Sequence, residues 1–283
     1  MSIRIKLWCS LTFGASLLFS GSLYAQSAPT RIYNTAKQKL QAGQQIVGGT
    51  VTTADPGIYC AMANAGYDFL WIEMQHSPLT YQQVATMIWA CRDAPAIPFV
   101  RVPDATAGDI QKATDIGALG IIVPLVDTVE KISDAVKYTK YPPQGVRSLG
   151  GGQYRALWGD DYRATANANI VIVAMIESPA GVDLAREIAA VDGVDVVMAA
   201  STDLGSFSGF RQGDAEYEQM VDTIRDATLG AGLALGGPQA WRDRRGFTFF
   251  QGPSDTVLVS LGVQTSLQAS ESGVAPTEGA EER

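Results

Sequence analysis

From Gln44 onward, apolar runs of strand length alternate with amphipathic stretches of helix length. Strand-like runs fall at 46–50, 69–73, 99–102, 120–124, 171–176, 194–198, 232–235 and 256–260. Most are near-continuously apolar and β-branched, the pattern of parallel strands covered on both faces. Helical periodicity fills the gaps, at 81–92, 107–116, 129–138, 181–190 and 215–230. Eight strands that each hand over to a helix predict an α/β fold closed as a (β/α)8 TIM barrel. An open doubly wound sheet is the competing architecture. Such a sheet ordinarily carries a Gly-rich dinucleotide turn after its first strand, and Gly48-Gly49 with no third glycine is a poor version of it.

The two ends stand outside this rhythm. Arg4 and Lys6 open the chain, residues 7–23 are apolar and free of charge, and Ala25 sits in a plausible cleavage position. That order is the pattern of a secretory signal peptide over 1–25. No second candidate span follows, so cleavage would leave no stable membrane span and a periplasmic or secreted protein. Removing those residues would also take the net charge from −8 to −10. An acidic chain without a basic stripe is a poor nucleic-acid surface, so small molecules and cations are the expected partners. Residues 26–43 form an N-terminal segment, 44–267 the barrel, and 268–283 an acidic tail too poor in apolar residues to fold. Residues 141–161 read as a long Gly- and Pro-rich loop, the kind that often serves as a lid.

Three cysteines occur, of which Cys9 lies in the signal. Cys60 is read near the start of one helix and Cys91 near the end of the next. Barrel helices run in one direction, so these positions should lie at opposite ends of the wall. A disulfide needs Cα atoms within about 7 Å. Two free thiols are therefore expected.

Barrel enzymes gather their chemistry at the C-terminal ends of strands. That rule selects Glu73, Gln75 and His76 after the second strand, Arg101 ending the third, Glu177 after the fifth and Asp203 after the sixth. Asp115 lies just before the fourth. Glu177 and Asp203 would stand side by side over one lumen, and their repulsion calls for a hard divalent cation. Each could instead cap the next helix, a stronger alternative for Asp203 than for Glu177. His76 is the only histidine, so a His-rich zinc site is excluded and Mg²⁺ or Mn²⁺, with Co²⁺ as a further option, is the expected type of ion. A lone histidine is often structural, but one following a buried strand with carboxylates nearby suits a general base. The Arg101 guanidinium suits bidentate recognition of a carboxylate, a substrate's or that of a neighbour such as Asp115 or Glu73.

The runs Gly66-Tyr67-Asp68-Phe69-Leu70-Trp71-Ile72-Glu73-Met74-Gln75-His76-Ser77-Pro78, Tyr141-Pro142-Pro143-Gln144-Gly145-Val146-Arg147 and Thr202-Asp203-Leu204 resemble the HpcH/HpaI aldolase and citrate lyase family, in particular its metal-dependent class II pyruvate aldolases. The resemblance implies a phosphoenolpyruvate/pyruvate-type barrel and reversible aldol addition of pyruvate to aldehydes. It further implies a homo-oligomer, a hexamer built as a trimer of dimers with a terminal helix exchanged between neighbours. It assigns His76 as base, Asp115 as the acid paired with it, and Arg101 beside the pyruvate keto oxygen. Glu177 and Asp203 become the metal ligands, and the backbone amide of Thr202, with Ser201 beside it, faces the pyruvate carboxylate. Departures are Glu73 for the usual Asp, Gln75 for Glu, Met175 for a polar residue commonly Gln, and Ala200-Ser201 for Gly-Pro. These alter the walls and leave the carboxylate pair intact. Two alternatives accompany the aldolase reading: an exported, non-catalytic binder of a metal-chelated 2-oxo acid, and citrate-lyase-like cleavage of a thioester.

Overall fold

The structure, a computed structural model, describes residues 30–271. The expected signal peptide and the end of the expected tail lie outside the described residues. Eight parallel strands close a barrel in sequence order: β1 (Ile46–Val51), β2 (Phe69–Glu73), β3 (Ile97–Arg101), β4 (Gly120–Val123), β5 (Val171–Ile176), β6 (Val196–Ala199), β7 (Ala234–Pro238) and β8 (Phe247–Ser254), with β8 paired to β1. The closed barrel is therefore the observed fold and the open sheet is set aside.

Helices connect the strands on the outside. They are α1 (Thr35–Gln41), α2 (Pro56–Asn64), α3 (Tyr81–Ala90), α4 (Ala107–Asp115), α5 (Val129–Thr139), α6 (Tyr154–Trp158), α7 (Tyr162–Asn169), α8 (Pro179–Asp183), α9 (Ala185–Ala189), α10 (Ser201–Ser208), α11 (Ala215–Gly230) and α12 (Asp255–Glu271). Local chemistry sets several starts. Thr80 and Gln83 form a reciprocal capping box for α3, and Asp55, Thr106 and Thr128 cap α2, α4 and α5. The expected helix 181–190 is instead split in two at Leu184.

The lumen is filled by aromatic rings opposed to glycines. Phe69 of β2, Phe99 of β3 and Phe249 of β8 meet with ring centroids 4.7 to 6.2 Å apart. Strands β3 and β8 are not neighbours, so these rings meet across the lumen. Gly48 and Gly120 face them, where an added Cβ would fall 2.2 Å from the Phe69 ring and 2.1 Å from the Phe99 ring. Below the rings, α1 closes the N-terminal mouth. The Asn34 amide donates to the Leu119 and Asn169 carbonyls, and buried Lys37 pairs with Asp195 at 2.9 Å. Helix α1 is thus fastened to this end of the barrel.

Several further expectations need correction. The eighth strand is Phe247–Ser254, not 256–260, which lies in α12. Val257 and Val259 alternate as a strand would, yet both are about half exposed (47% and 56%). The buried Phe247, Phe249 and Phe250 form the strand, and Gly252-Pro253 at its end gives it the look of a loop. Helix α12 runs on to Glu271, past residue 267.

Cys60 and Cys91 form a disulfide, with Cα atoms 5.4 Å apart. Helix α2 has only nine residues and Cys60 is its fifth, while Cys91 is the C-cap of α3. Helices wrapped around a sheared barrel are staggered, so the middle of one faces the end of the next. The 141–161 segment is also more ordered than a free lid. It contains α6 and is tied down by Gln153, whose amide donates to the carbonyls of Ala85 and Ile116.

Candidate active site

Period-two alternation along β2 puts Phe69, Trp71 and Glu73 on one face, so the strand carries the plug, then an indole, then a carboxylate toward its C-terminal mouth. Glu73 is buried and both its oxygens are engaged. Oε2 accepts from Arg101 Nε at 2.6 Å and from Trp71 Nε1 at 3.1 Å. Oε1 accepts from the backbone amides of Gln75 (2.8 Å) and His76 (2.9 Å). The turn after β2 is thus wound around the Glu73 carboxylate. The Arg101 guanidinium lies 5.6 Å from the Trp71 ring centroid, and its Nη1 is 3.9 Å from Met175 Sδ.

Across the mouth, Glu177 follows β5 and is 1% exposed. Its Oε1 accepts the backbone amide of Leu125 at 3.0 Å. Leu125 has φ of 50°, the left-handed region that a branched side chain seldom occupies, and this aims its amide at the carboxylate. Asp203, in the first turn of α10, stands close enough for its charge to act on Glu177. Burial pushes the Glu177 carboxyl up to about 7, with the Asp203 charge adding to it; the Leu125 amide and Arg101 act in the opposite sense.

This pair fits a divalent cation. Two adjacent carboxylates raise one another's protonation unless a positive charge joins them. The nearest candidate, Arg101, is already bonded through Nε to Glu73. Among the described residues no three His, Cys, Asp or Glu side chains gather, so the protein offers two hard oxygen ligands and leaves other positions to water or substrate oxygens.

A pocket of about 230 Å³ opens beside the pair, lined by Arg101, Met175, Met198, Ala200, Asp203 and Gln251 among others. Ser201 and Thr202 also line it, and they begin α10. The N-cap residue, Ala200, has no side chain able to bond the first-turn amides. A helix N-terminus of this kind favours an anion. Arg101 and these amides give the pocket two groups able to receive a carboxylate or a keto oxygen. Two of the wall departures, Met175 and Ala200, fall here.

The side that carries His76 is arranged differently. His76 is exposed, held through its backbone, and no hydrogen bond reaches its imidazole among the described residues. Asp115 does not pair with it. Its oxygens receive Arg147 Nη2 at 2.9 Å and Gln111 Nε2 at 2.7 Å. The Arg147 side chain is fully buried among the rings of Tyr141, Tyr154 and Tyr162. A buried guanidinium needs a carboxylate, and Asp115 supplies it. The structure therefore brings Arg101, Asp203, Ser201 and Thr202 to one pocket, with Glu177 interacting with Asp203, while Asp115 is held by the 141–153 segment. Sequence reasoning missed the hub role of Glu73, the turned amide of Leu125, and Gln251. Arg147 was within reach, since it ends one of the motif runs.

The sequence profile of the HpcH/HpaI aldolase/citrate lyase family matches residues 51–237, well over half of the chain. The hydroxypyruvate/pyruvate aldolase of Roseovarius nubinhibens is 36% identical over 203 residues, covering 71% of this chain and 77% of its own. A HpcH/HpaI aldolase/citrate lyase family protein of known structure from Burkholderia cenocepacia superposes with a TM-score of 0.77 at 29% identity, over 84% of this chain and 99% of that one. A citrate lyase beta subunit from M. tuberculosis, solved with oxaloacetate and magnesium, shares the fold at 16% identity and a TM-score of 0.52, over 77% of this chain and 95% of that one. Glu73, His76, Arg101, Glu177 and Asp203 all lie inside the matched span. The chain belongs to the HpcH/HpaI aldolase/citrate lyase family and is an enzyme of its carbon–carbon lyase type.

Proposed function

We propose that the protein is a class II pyruvate aldolase that reversibly cleaves 4-hydroxy-2-oxo acids to pyruvate and an aldehyde. One observation carries this reading: Glu177 feels the charge of Asp203, and Asp203 lines a pocket with Arg101, whose own charge is already engaged by Glu73. A divalent cation held by Glu177 and Asp203, Mg²⁺ or Mn²⁺ with Co²⁺ as a further option, would supply Lewis acidity to the 2-oxo group. The first-turn amides of α10 at Ser201 and Thr202 bind the substrate carboxylate. Arg101, anchored through Nε, presents its terminal nitrogens to the keto oxygen, where negative charge develops as the carbon–carbon bond breaks. His76 takes the proton of the 4-hydroxyl, directly or through water. The experiment is a coupled assay of pyruvate release from a 4-hydroxy-2-oxo acid, with added Mn²⁺ and with chelator. Release that requires the cation supports the reading; none under either condition refutes it.

The separation of His76 from Asp115 favours a second reading, an exported binder of a chelated 2-oxo acid. The same assay separates the two, because a binder takes up the acid without releasing pyruvate.

Two further features belong to this proposal. Helix α12 exposes Val257, Val259, Leu261, Val263 and Leu267, each 47–60% accessible, and an apolar surface of that size supports a homo-oligomer, a hexamer on the family pattern. The N-terminal signal pattern supports a periplasmic or secreted location. The Cys60–Cys91 disulfide supports it independently, since such bonds persist in oxidising compartments. Among the described residues no helix is long and apolar enough to cross a membrane.

A further inference from the structure

Glu73 makes four side-chain hydrogen bonds that join two parts of the site, whose backbones are also linked where the Met74 amide donates to the Arg101 carbonyl. One oxygen serves Arg101, the anion-recognising group, with the Trp71 indole N–H as a second donor. The other serves the amides of Gln75 and His76, the turn that carries the exposed imidazole. The Ser77 hydroxyl closes the same turn onto the Glu73 carbonyl. The carboxylate is 3% exposed, so water does not compete for these donors. A buried carboxylate with every lone-pair direction occupied is held rigidly, because loss of any donor exposes an unsatisfied charge.

We propose that Glu73 is a positioning residue that locks the Arg101 guanidinium and the His76 turn into one unit. The inference rests on the reading of the pocket as a 2-oxo acid site, where Arg101 meets the anion. Glu73 itself does not touch the substrate. It fixes the Nε edge of Arg101, so that only the opposite edge can face the pocket. The same carboxylate sets where the backbone of His76 begins. Trp71 strengthens the arrangement by meeting Arg101 with its ring and Glu73 with its N–H.

Glu73→Gln is the sharpest probe. A carboxamide has one acceptor oxygen and one donor group, so whichever way it turns, one set of donors loses its acceptor. The charged Arg101 should keep the oxygen, since a charge-assisted bond is the stronger of the two. The amides of Gln75 and His76 are then released. Hydrogen exchange of the 74–80 peptide, followed by mass spectrometry, should quicken about tenfold or more in Glu73→Gln. Glu73→Ala removes both acceptors. In the presence of Mn²⁺, oxalate affinity should fall about 10- to 100-fold in Glu73→Ala and by a similar factor in Arg101→Lys. The double variant should be no more than about twofold worse than the weaker single one, because Glu73 acts through Arg101. A purely structural role would lower the urea midpoint and leave this non-additivity absent. Should Glu73→Ala not fold, Glu73→Asp keeps both oxygens on a shorter stem and is expected to fall between wild type and Glu73→Gln in exchange rate. Unchanged exchange in Glu73→Gln, losses that multiply in the double variant, or no oxalate binding by the wild type would each overturn the proposal. Absence of pyruvate release with the exchange and oxalate results intact would refute the aldolase reading alone.

Discussion

The two halves of the active-site mouth are built by opposite means. At β5 and β6 the carboxylates of Glu177 and Asp203 are brought together within one chain, one fixed by a turned backbone amide and the other by a helix start. After β2, His76 stands exposed on a turn, and the acid expected beside it is engaged by Arg147. Position explains the contrast. Adjacent strand ends are set by the hydrogen-bonded ladder, which pairs Met175 with Met198 and Ile176 with Ala199, so the residues that follow must meet. His76 lies three residues beyond its strand, where the Glu73 carboxylate and the Ser77 hydroxyl hold the turn. The carboxylate half is set by the strand ladder, and the His76 half depends on local tethers.

That contrast can be broken or sharpened by substitution, beginning with the largest effect. Glu177→Gln should reduce both aldol cleavage and oxaloacetate decarboxylation to background in assays with Mn²⁺, since the pair can no longer act as a dianionic ligand. His76→Ala should lower aldol cleavage by roughly 10²–10⁴ and leave decarboxylation largely intact, because decarboxylation removes no hydroxyl proton. Equal loss of both would place His76 with the carboxylate half. Arg101→Lys should lower both reactions by about 10- to 100-fold, as an ammonium keeps the charge and loses the fork; steady-state rates on the two substrates test it.

The smallest expected effect on turnover comes from the disulfide. The Cys60–Cys91 link encloses β2 and the His76 turn and leaves β5 and β6 outside. Closing a loop of that length contributes roughly 2–4 kcal/mol of stability. Cys91→Ser should therefore lower the urea midpoint and quicken hydrogen exchange at 74–80 far more than at 171–177. Equal quickening in both peptides would contradict the division of the mouth into two separately tethered halves.

Much of this was legible in the residues alone. Near-continuous apolar runs announced seven of the eight strands, and the rule that barrel chemistry sits at strand ends singled out Arg101, Glu177 and Asp203, which the structure gathers at one mouth. The misses share a cause, which is that they depend on relations between elements. Strand β8 hides behind Gly252-Pro253 because its burial is decided by β7 and β1. The Cys60–Cys91 contact depends on helix stagger, which no local pattern encodes. The tie between Asp115 and Arg147 spans 32 residues and is created by packing three tyrosines around a guanidinium. Glu73 drew notice as a neighbour of His76 and as one of two carboxylates that Arg101 could pair with, and the Arg101–Glu73 pair is observed. Its four donors come from its own strand, the next strand and the turn, and converge only after the barrel closes.

The central claim is that Glu177 and Asp203 together form a cation site beside Arg101. Titrating Mn²⁺ into chelator-treated protein, followed by electron paramagnetic resonance of the free ion, tests it without reference to turnover. The account predicts one site per chain in the wild type, lost in Glu177→Gln and in Asp203→Asn and retained in His76→Ala. Binding that survives both carboxylate substitutions, or no binding by the wild type, would contradict it.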